Sequence, residues 1–173
     1  MIRYDENGQP IQYVDCHKLT SNGFQFVTNQ TYTALGSVAI GIDDKLWISG
    51  YRDKFTEFIS LNGEVTPGPE LPEDLNGHCM VKIDDKTVLM IGGQVYPEQS
   101  GRTYVLDVPS GEWTEGPQML IPRAFHSCGL SEHKDQKFVL AIGGESNDEY
   151  LNSVEYLDLQ TMAQFVLTVS RTR

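Results

Sequence analysis

Short, mostly apolar runs separated by turn-forming residues follow one another along most of this chain. The clearest succession has four such runs, at residues 79–83, 87–91, 103–108 and 112–114. Turn-forming residues separate them, with Asp84-Asp85 after the first run and Ser110-Gly111 after the third. Short apolar runs bounded by turn signals are typical of buried β-strands, and such residue pairs favour tight turns. No segment shows a sustained helical period, so the pattern predicts an all-β protein built from four-stranded antiparallel sheets.

The same landmarks recur three times in the same order. Each unit has an apolar run closed by small residues, and these pairs are Ser49-Gly50, Gly92-Gly93 and Gly143-Gly144. An aromatic residue follows on the predicted third strand, and another large apolar residue follows on the fourth. These residues are Phe58 and Val65, Tyr104 and Trp113, and Tyr156 and Phe165. We interpret the aromatic residues as fillers of the wedge between adjacent sheets. A repeat of this length is typical of propellers and other repeat arrays.

The outer units differ from the central one in their turns. The first unit has Asp43-Asp44 after its first strand and Asn62-Gly63 after its third, and Asn-Gly is a strong hairpin signal. In the third unit, residues 131–137 predict a longer excursion between the first two strands. Ahead of these units, residues 11–19 and 23–28 are compatible with the last two strands of a preceding unit.

The central unit resembles the kelch family of β-propellers. That family has a Gly-Gly pair, a Tyr about a dozen residues later, a Trp about nine residues further on, and an Arg and a His that open the next unit. Here Gly92-Gly93, Tyr104, Trp113, Arg123 and His126 fit this pattern. The third unit has Phe165 in place of Trp, and the first unit is degenerate. The resemblance implies kelch-type β-propeller blades, about three of them, in an open or partial ring.

The repeats divide the chain into four segments. Residues 1–36 form a divergent N-terminal segment that would fit half of a preceding blade, and 37–77 form a degenerate kelch repeat. Residues 78–125 form a kelch repeat, and 126–173 form a repeat with a truncated end. Propellers close with typically about four to eight blades, so three units leave three alternatives open. The chain is a fragment of a longer kelch protein, it is a complete open array, or two copies close a six-bladed ring as a homodimer.

Composition and charge exclude several classes of protein. Hydrophobic residues make up 39% of the 173 residues, and the formal net charge is −11. A field of this sign repels phosphate, so no nucleic-acid partner is expected. No segment approaches the ~18 apolar residues of a membrane span, and no membrane partner is expected. The three cysteines, Cys16, Cys79 and Cys128, fit neither a disulfide framework nor a metal knuckle. We therefore predict reduced thiols and a cytoplasmic protein.

The longer and chemically richer loops follow the second and fourth strands, which places them on one face of the propeller. Tyr and Arg are enriched in binding hot spots, and function concentrates on loops of a rigid scaffold. We therefore predict a partner-binding surface, and an acidic protein or peptide would suit its arginines. Its predicted residues are Tyr51, Arg52, Tyr96, Arg102, Arg123 and Tyr150. For Arg123 the ordinary strand-opening position also favours a structural role.

No catalytic motif, metal-ligand set or cofactor site stands out. His78 and His126 open corresponding strands, which indicates a repeat position. Cys79 and Cys128 are interpreted as small buried hydrophobic residues. The sequence thus predicts a non-catalytic protein-interaction module without cofactor or metal. Kelch resemblance implies a role as a substrate-recognition adaptor of a ubiquitin ligase or as an actin-associated domain. The alternatives are a propeller enzyme of the galactose-oxidase or sialidase type, and a half-propeller that self-associates.

Overall fold

The computed structural model describes residues 3–4, 10–11, 15–29, 37–49 and 54–168. All regular structure in these ranges is β-strand, which confirms the prediction of an all-β fold. The described residues therefore include no helix that is long and apolar enough to cross a membrane.

The N-terminal strands form two separate hairpins. The first pairs β1 (Arg3–Tyr4) with β2 (Pro10–Ile11), and the second pairs β3 (Asp15–Thr20) with β4 (Gly23–Asn29). The second hairpin lies beside the next sheet, because a Cβ added at Gly63 would meet the backbone of Val27.

Three four-stranded antiparallel sheets follow, which we call blades 1, 2 and 3. Blade 1 comprises β5 (Ala39–Ile42), β6 (Lys45–Ser49), β7 (Thr56–Ser60) and β8 (Val65–Pro67). Blade 2 comprises β9 (Cys79–Lys82), β10 (Thr87–Ile91), β13 (Thr103–Asp107) and β14 (Glu112–Glu115), with the small hairpin β11 (Gln94–Val95) and β12 (Glu98–Gln99) inserted. Blade 3 comprises β15 (Ser127–His133), β16 (Gln136–Ile142), β19 (Ser153–Asp158) and β20 (Gln164–Thr168), with the hairpin β17 (Glu145–Ser146) and β18 (Glu149–Tyr150) inserted.

In each blade the strands pair in chain order, so successive strands are neighbours. Loops after the first and third strands therefore lie at one end of the blade, and those after the second and fourth at the other. The inserted hairpins β11–β12 and β17–β18 stand at this second end. From the sequence, both segments are predicted as loops.

Apolar side chains fill the space between blades 1 and 2. The buried set includes Trp47 from blade 1, Met90 and Leu106 from blade 2, and Leu71 and Leu75 from the linker between the blades. Trp113 packs against this cluster, with its ring centroid 5.9 Å from that of Trp47. Neither sheet could bury this face alone, and stacking them provides the core.

A second apolar cluster joins blades 2 and 3, and here a disulfide crosses the junction. Val81 and Leu89 of blade 2 pack against Val139, Ala141 and Leu157 of blade 3. Cys79 and Cys128 lie on the innermost strands and are bonded, with their Cα atoms 6.0 Å apart. The prediction of reduced thiols at these two positions is therefore wrong, because stacking brings together cysteines that are 49 residues apart in sequence. Cys16 is a free thiol.

The aromatic residues of the third strands do not all occupy equivalent positions. Tyr104 pairs with Met90, whereas Tyr156 pairs with Leu140, one residue further from the Gly-Gly pair that ends the second strand. Glu155 is therefore the register equivalent of Tyr104. Since neighbouring side chains on a strand point to opposite faces, Tyr156 lies on the other face of its sheet. Tyr104 therefore fills the wedge between blades 1 and 2 as predicted, whereas Tyr156 does not face the wedge between blades 2 and 3. The side chain of Phe165 lies outside the described residues.

The long excursion predicted at residues 131–137 is also absent. Strands β15 and β16 continue as a regular ladder as far as the pair His133 and Gln136. Lys134 and Asp135 make the turn between them, with φ angles of 49° and 65°. Two successive residues at positive φ are typical of a tight two-residue hairpin turn.

The two faces of blade 3 differ in burial. Val139, Ala141 and Leu157 on the face toward blade 2 are buried. On the opposite face, Ile142 is 44% exposed and Leu167 is 57% exposed. The hairpin β3–β4 likewise exposes Leu19, Phe24 and Phe26. Each flank of the described array therefore presents apolar residues to solvent.

Candidate partner-binding cleft

A cleft of about 930 Å³ opens at the end of blade 2 that carries the inserted hairpin. Three segments form its walls: the linker after blade 1, the hairpin β11–β12, and the linker between blades 2 and 3. Its lining includes Lys54, Pro72, Glu73, Asp74, Val95, Tyr96, Glu98, Arg102, Leu120 and Pro122. Two residues of the predicted partner-binding surface, Tyr96 and Arg102, thus lie in one cavity.

An ion pair closes one side of the cleft. Arg102 donates a hydrogen bond through Nη1 to Oε1 of Glu73, and the Tyr104 hydroxyl donates to the same oxygen at 2.5 Å. The bond to Glu73 raises the pKa of Arg102. Burial, followed by the bond to Glu73, raises the pKa of Tyr104. Glu73 therefore holds the linker after blade 1 against the third strand of blade 2.

Large apolar side chains stand in the cleft without being buried. Tyr96 is 82% exposed, Leu120 is 58% exposed and Val95 is 42% exposed. Exposed apolar groups around a concave site are typical of surfaces that bind other macromolecules. The peptide bond between Tyr96 and Pro97 is cis.

The hairpin of blade 3 extends this surface. Tyr150 is 91% exposed at the end of β18. The backbone N–H of Asn147 donates to Oε1 of Gln99 at 3.1 Å, so the two inserted hairpins touch. The third predicted tyrosine, Tyr51, and the predicted Arg52 lie outside the described residues.

Arg123 has a structural role in place of a surface role. Its side chain is fully buried, and its Nη1 donates to the Gly143 carbonyl at 2.9 Å. Its Nη2 faces the Ser153 hydroxyl and the Glu155 carboxylate, with Oε2 of Glu155 3.4 Å away. We therefore leave Arg123 out of the binding surface.

Glu155 holds the linker between blades 2 and 3, which forms one wall of the cleft. Its carboxylate accepts hydrogen bonds from the backbone N–H groups of Leu120 and Ile121, in addition to facing Arg123. Sequence reasoning missed both Glu155 and Glu73. A signal for Glu155 exists in the repeat itself, because Glu57 directly precedes Phe58 as Glu155 directly precedes Tyr156, and Glu57 is also buried.

The buried histidines lie away from the cleft. Nε2 of His78 is 2.8 Å from the Ser49 hydroxyl, and both residues are buried between blades 1 and 2. Burial lowers the pKa of His78 to about 4 and that of His126 to about 4. The Ser49–His78 pair has no access to a substrate, so it serves as a link between the blades.

No metal site emerges from the described part of the chain. No group of three or more His, Cys, Asp or Glu residues within it has the arrangement to hold a metal ion.

Comparison with known proteins gives a partial similarity to a kelch-repeat protein. No family model matches this chain. Over 102 residues the chain is 26% identical to an F-box/kelch-repeat protein of Arabidopsis thaliana. The matched segment covers 58% of this chain and 36% of the relative. The chain therefore spans little more than a third of that relative. The similarity to a kelch-repeat protein and the stacked four-stranded sheets agree with the kelch resemblance of the sequence.

Proposed function

We propose that this chain is a protein-interaction module that binds a protein or peptide partner in the cleft of blade 2 and along the two inserted hairpins. The observation that supports the proposal most is the exposure of Tyr96 and Leu120 inside a concave site. The similarity to a kelch-repeat protein supports a binding role in general. Binding surfaces carried on loops of a rigid scaffold are common, and the stacked blades provide such a scaffold.

The finer roles follow from the resemblance. Substrate recognition for a ubiquitin ligase and attachment to actin both require a surface that recognises another protein, and the cleft would serve either role. The cytoplasmic location is predicted partly from reduced thiols. Cys79 and Cys128 instead form a disulfide, and disulfides are rare in the cytoplasm, so the thiols no longer support that location. The buried Ser49–His78 pair gives the enzyme alternative no support.

The proposal is tested by comparing partners captured from cell extract by three forms of the chain. The double variant Tyr96→Ala/Leu120→Ala removes exposed apolar groups from the cleft. The control Leu61→Ala/Met162→Ala removes exposed apolar groups from turns at the opposite end of the blades. We expect quantitative mass spectrometry to show partners retained by wild type and control and lost by the cleft variant. Equal capture by all three forms would contradict the cleft as the binding site.

Self-association is a second candidate, and the open face of blade 3 favours it. Ile142 and Leu167 are exposed on a face whose counterparts in blades 1 and 2 are covered by the next blade. A second copy that closes a six-bladed ring would bury this face. Sedimentation velocity at micromolar concentration tests this: a dimer in wild type that dissociates in Ile142→Lys/Leu167→Lys supports it, and a clean wild-type monomer excludes it.

A further inference from the structure

The two inserted hairpins present the same combination of side chains. The hairpin of blade 2 exposes Tyr96 and Glu98, and the hairpin of blade 3 exposes Asp148, Glu149 and Tyr150. Neither hairpin contains a Lys or Arg. A tyrosine ring attracts a cation to its face, and a carboxylate accepts strong hydrogen bonds from ammonium and guanidinium groups. Each hairpin therefore offers both groups that recognise a basic side chain.

The basic residues of the cleft already have acceptors within the chain. Arg102 is paired with Glu73, and Nζ of Lys54 donates to the Pro72 carbonyl at 2.9 Å. An acidic partner would have to displace Glu73 before it could bind Arg102. The charges of the cleft thus give little support to the acidic partner that the sequence predicts.

The carboxylates of the same surface remain available. Asp74 and Glu98 line the cleft and are exposed, and neither is in an ion pair with another described residue. The whole chain carries a net charge of −11, and such a field attracts cations and raises their rate of association.

We propose that the cleft and the two hairpins bind a peptide segment that carries Lys or Arg side chains. This inference rests on the proposed function and names the chemistry of its partner. The carboxylates of Asp74, Glu98 and Glu149 would pair with the cationic groups. Tyr96 and Leu120 would pack against the aliphatic stems of the same side chains, which are apolar along most of their length.

Selection of random peptides displayed on phage tests the inference, with the full chain as bait. Selected peptides are then labelled with fluorescein, and their affinities are measured by anisotropy at low and high salt. The variant Asp74→Lys/Glu98→Lys/Glu149→Lys reverses three charges of the proposed surface. The control Asp44→Lys/Glu64→Lys/Glu112→Lys reverses three exposed charges near the turns at the opposite end of the blades.

We expect the selected peptides to be enriched in Lys and Arg. We expect their affinity to fall about tenfold in the cleft variant and to change less than about twofold in the control, with weaker binding at high salt. Peptides that depend on Tyr96 and Leu120 but are neutral or acidic would overturn this inference and leave the proposed function intact. Failure to select any peptide whose binding depends on these two residues would overturn both.

Discussion

His126 is buried at the start of blade 3, and neither of its ring nitrogens has a hydrogen-bond partner among the described residues. Burial is the main cause of its lowered pKa of about 4, and the charge of Arg123 contributes. Burial also lowers the pKa of His78 to about 4. Both imidazoles are therefore neutral in the folded protein over a pH range in which an unfolded chain binds protons.

The two histidines predict a specific loss of stability on acidification. Between pH 6.5 and pH 4 the unfolded chain binds protons that the folded chain does not, so the free energy of unfolding falls as the pH falls through this range. The slope is about 1.4 kcal/mol per pH unit for each histidine. We expect a shallower slope for His126→Asn in urea unfolding measured across this range. An unchanged slope in this variant would contradict the buried neutral state of His126.

Two carboxylates act at the low end of the same range. The pKa of Asp84 and that of Asp158 are lowered from 3.8, mainly by hydrogen bonds from the backbone N–H groups of Lys86 and Gln160, respectively. As the pH approaches 4 the unfolded chain binds protons at these groups and the folded chain does not, which adds to the slope there. Because His126→Asn keeps both carboxylates, the difference in slope between this variant and wild type reports on His126.

Glu155 is a second residue with a strong expected effect. Glu155→Ala would leave the guanidinium of Arg123 buried without its carboxylate, and it would free the backbone N–H groups of Leu120 and Ile121. Removing one partner of a buried ion pair costs about 3–5 kcal/mol. We expect urea unfolding to show a loss of this order, whereas the exposed control Glu149→Ala should change stability by less than about 0.5 kcal/mol. Equal stability of the two variants would show that Glu155 does not anchor the wall of the cleft.

Among the structural elements, the disulfide between β9 and β15 is the strongest link between blades 2 and 3. It closes a loop of 49 residues, and a cross-link of that length stabilises a fold by about 4 kcal/mol in the chain-entropy model. We expect Cys79→Ser/Cys128→Ser to lower the free energy of unfolding by this order, and a reductant to lower wild type to the same level. Cys16→Ser is the control and should behave as wild type. A reductant without effect on wild type would contradict the bond.

Local patterns were sufficient to predict the strands and the four-stranded units. Short apolar runs and turn residues are properties of neighbouring residues, which is why β9 and β10 fall where the sequence places them. The disulfide could not be predicted in this way, because it depends on how two sheets stack. Tyr156 illustrates a second limit: one extra residue after Gly144 moves it to the other face of its strand, although its spacing in the repeat is nearly unchanged.

The candidate site was predicted only in part, for the same physical reason. Tyr96 and Tyr150 lie on loop segments whose exposure follows from their position in the repeat. The burial of Arg123 and the role of Glu73 depend on contacts with residues about 30 positions away. One such contact pairs Arg102 with a carboxylate of its own chain, which local patterns do not reveal.

At the scale of the whole molecule, the blades act as one scaffold with two different ends. The end that carries the short turns offers few exposed apolar groups, whereas the other end carries the cleft and both hairpins. The contact between Asn147 and Gln99 joins these hairpins, so a partner can lie across blades 2 and 3 together. The molecule thus separates the surfaces that hold the blades together from the surface that we propose for binding.

Hydrogen–deuterium exchange of the chain with and without a selected peptide tests this account most directly. We expect added peptide to slow exchange in residues 94–102, 118–122 and 145–150 and to leave the turns at residues 43–44, 84–86 and 109–111 unchanged. Protection confined to those turns or to the open face of blade 3 would contradict the proposal that the cleft and the hairpins form the binding surface.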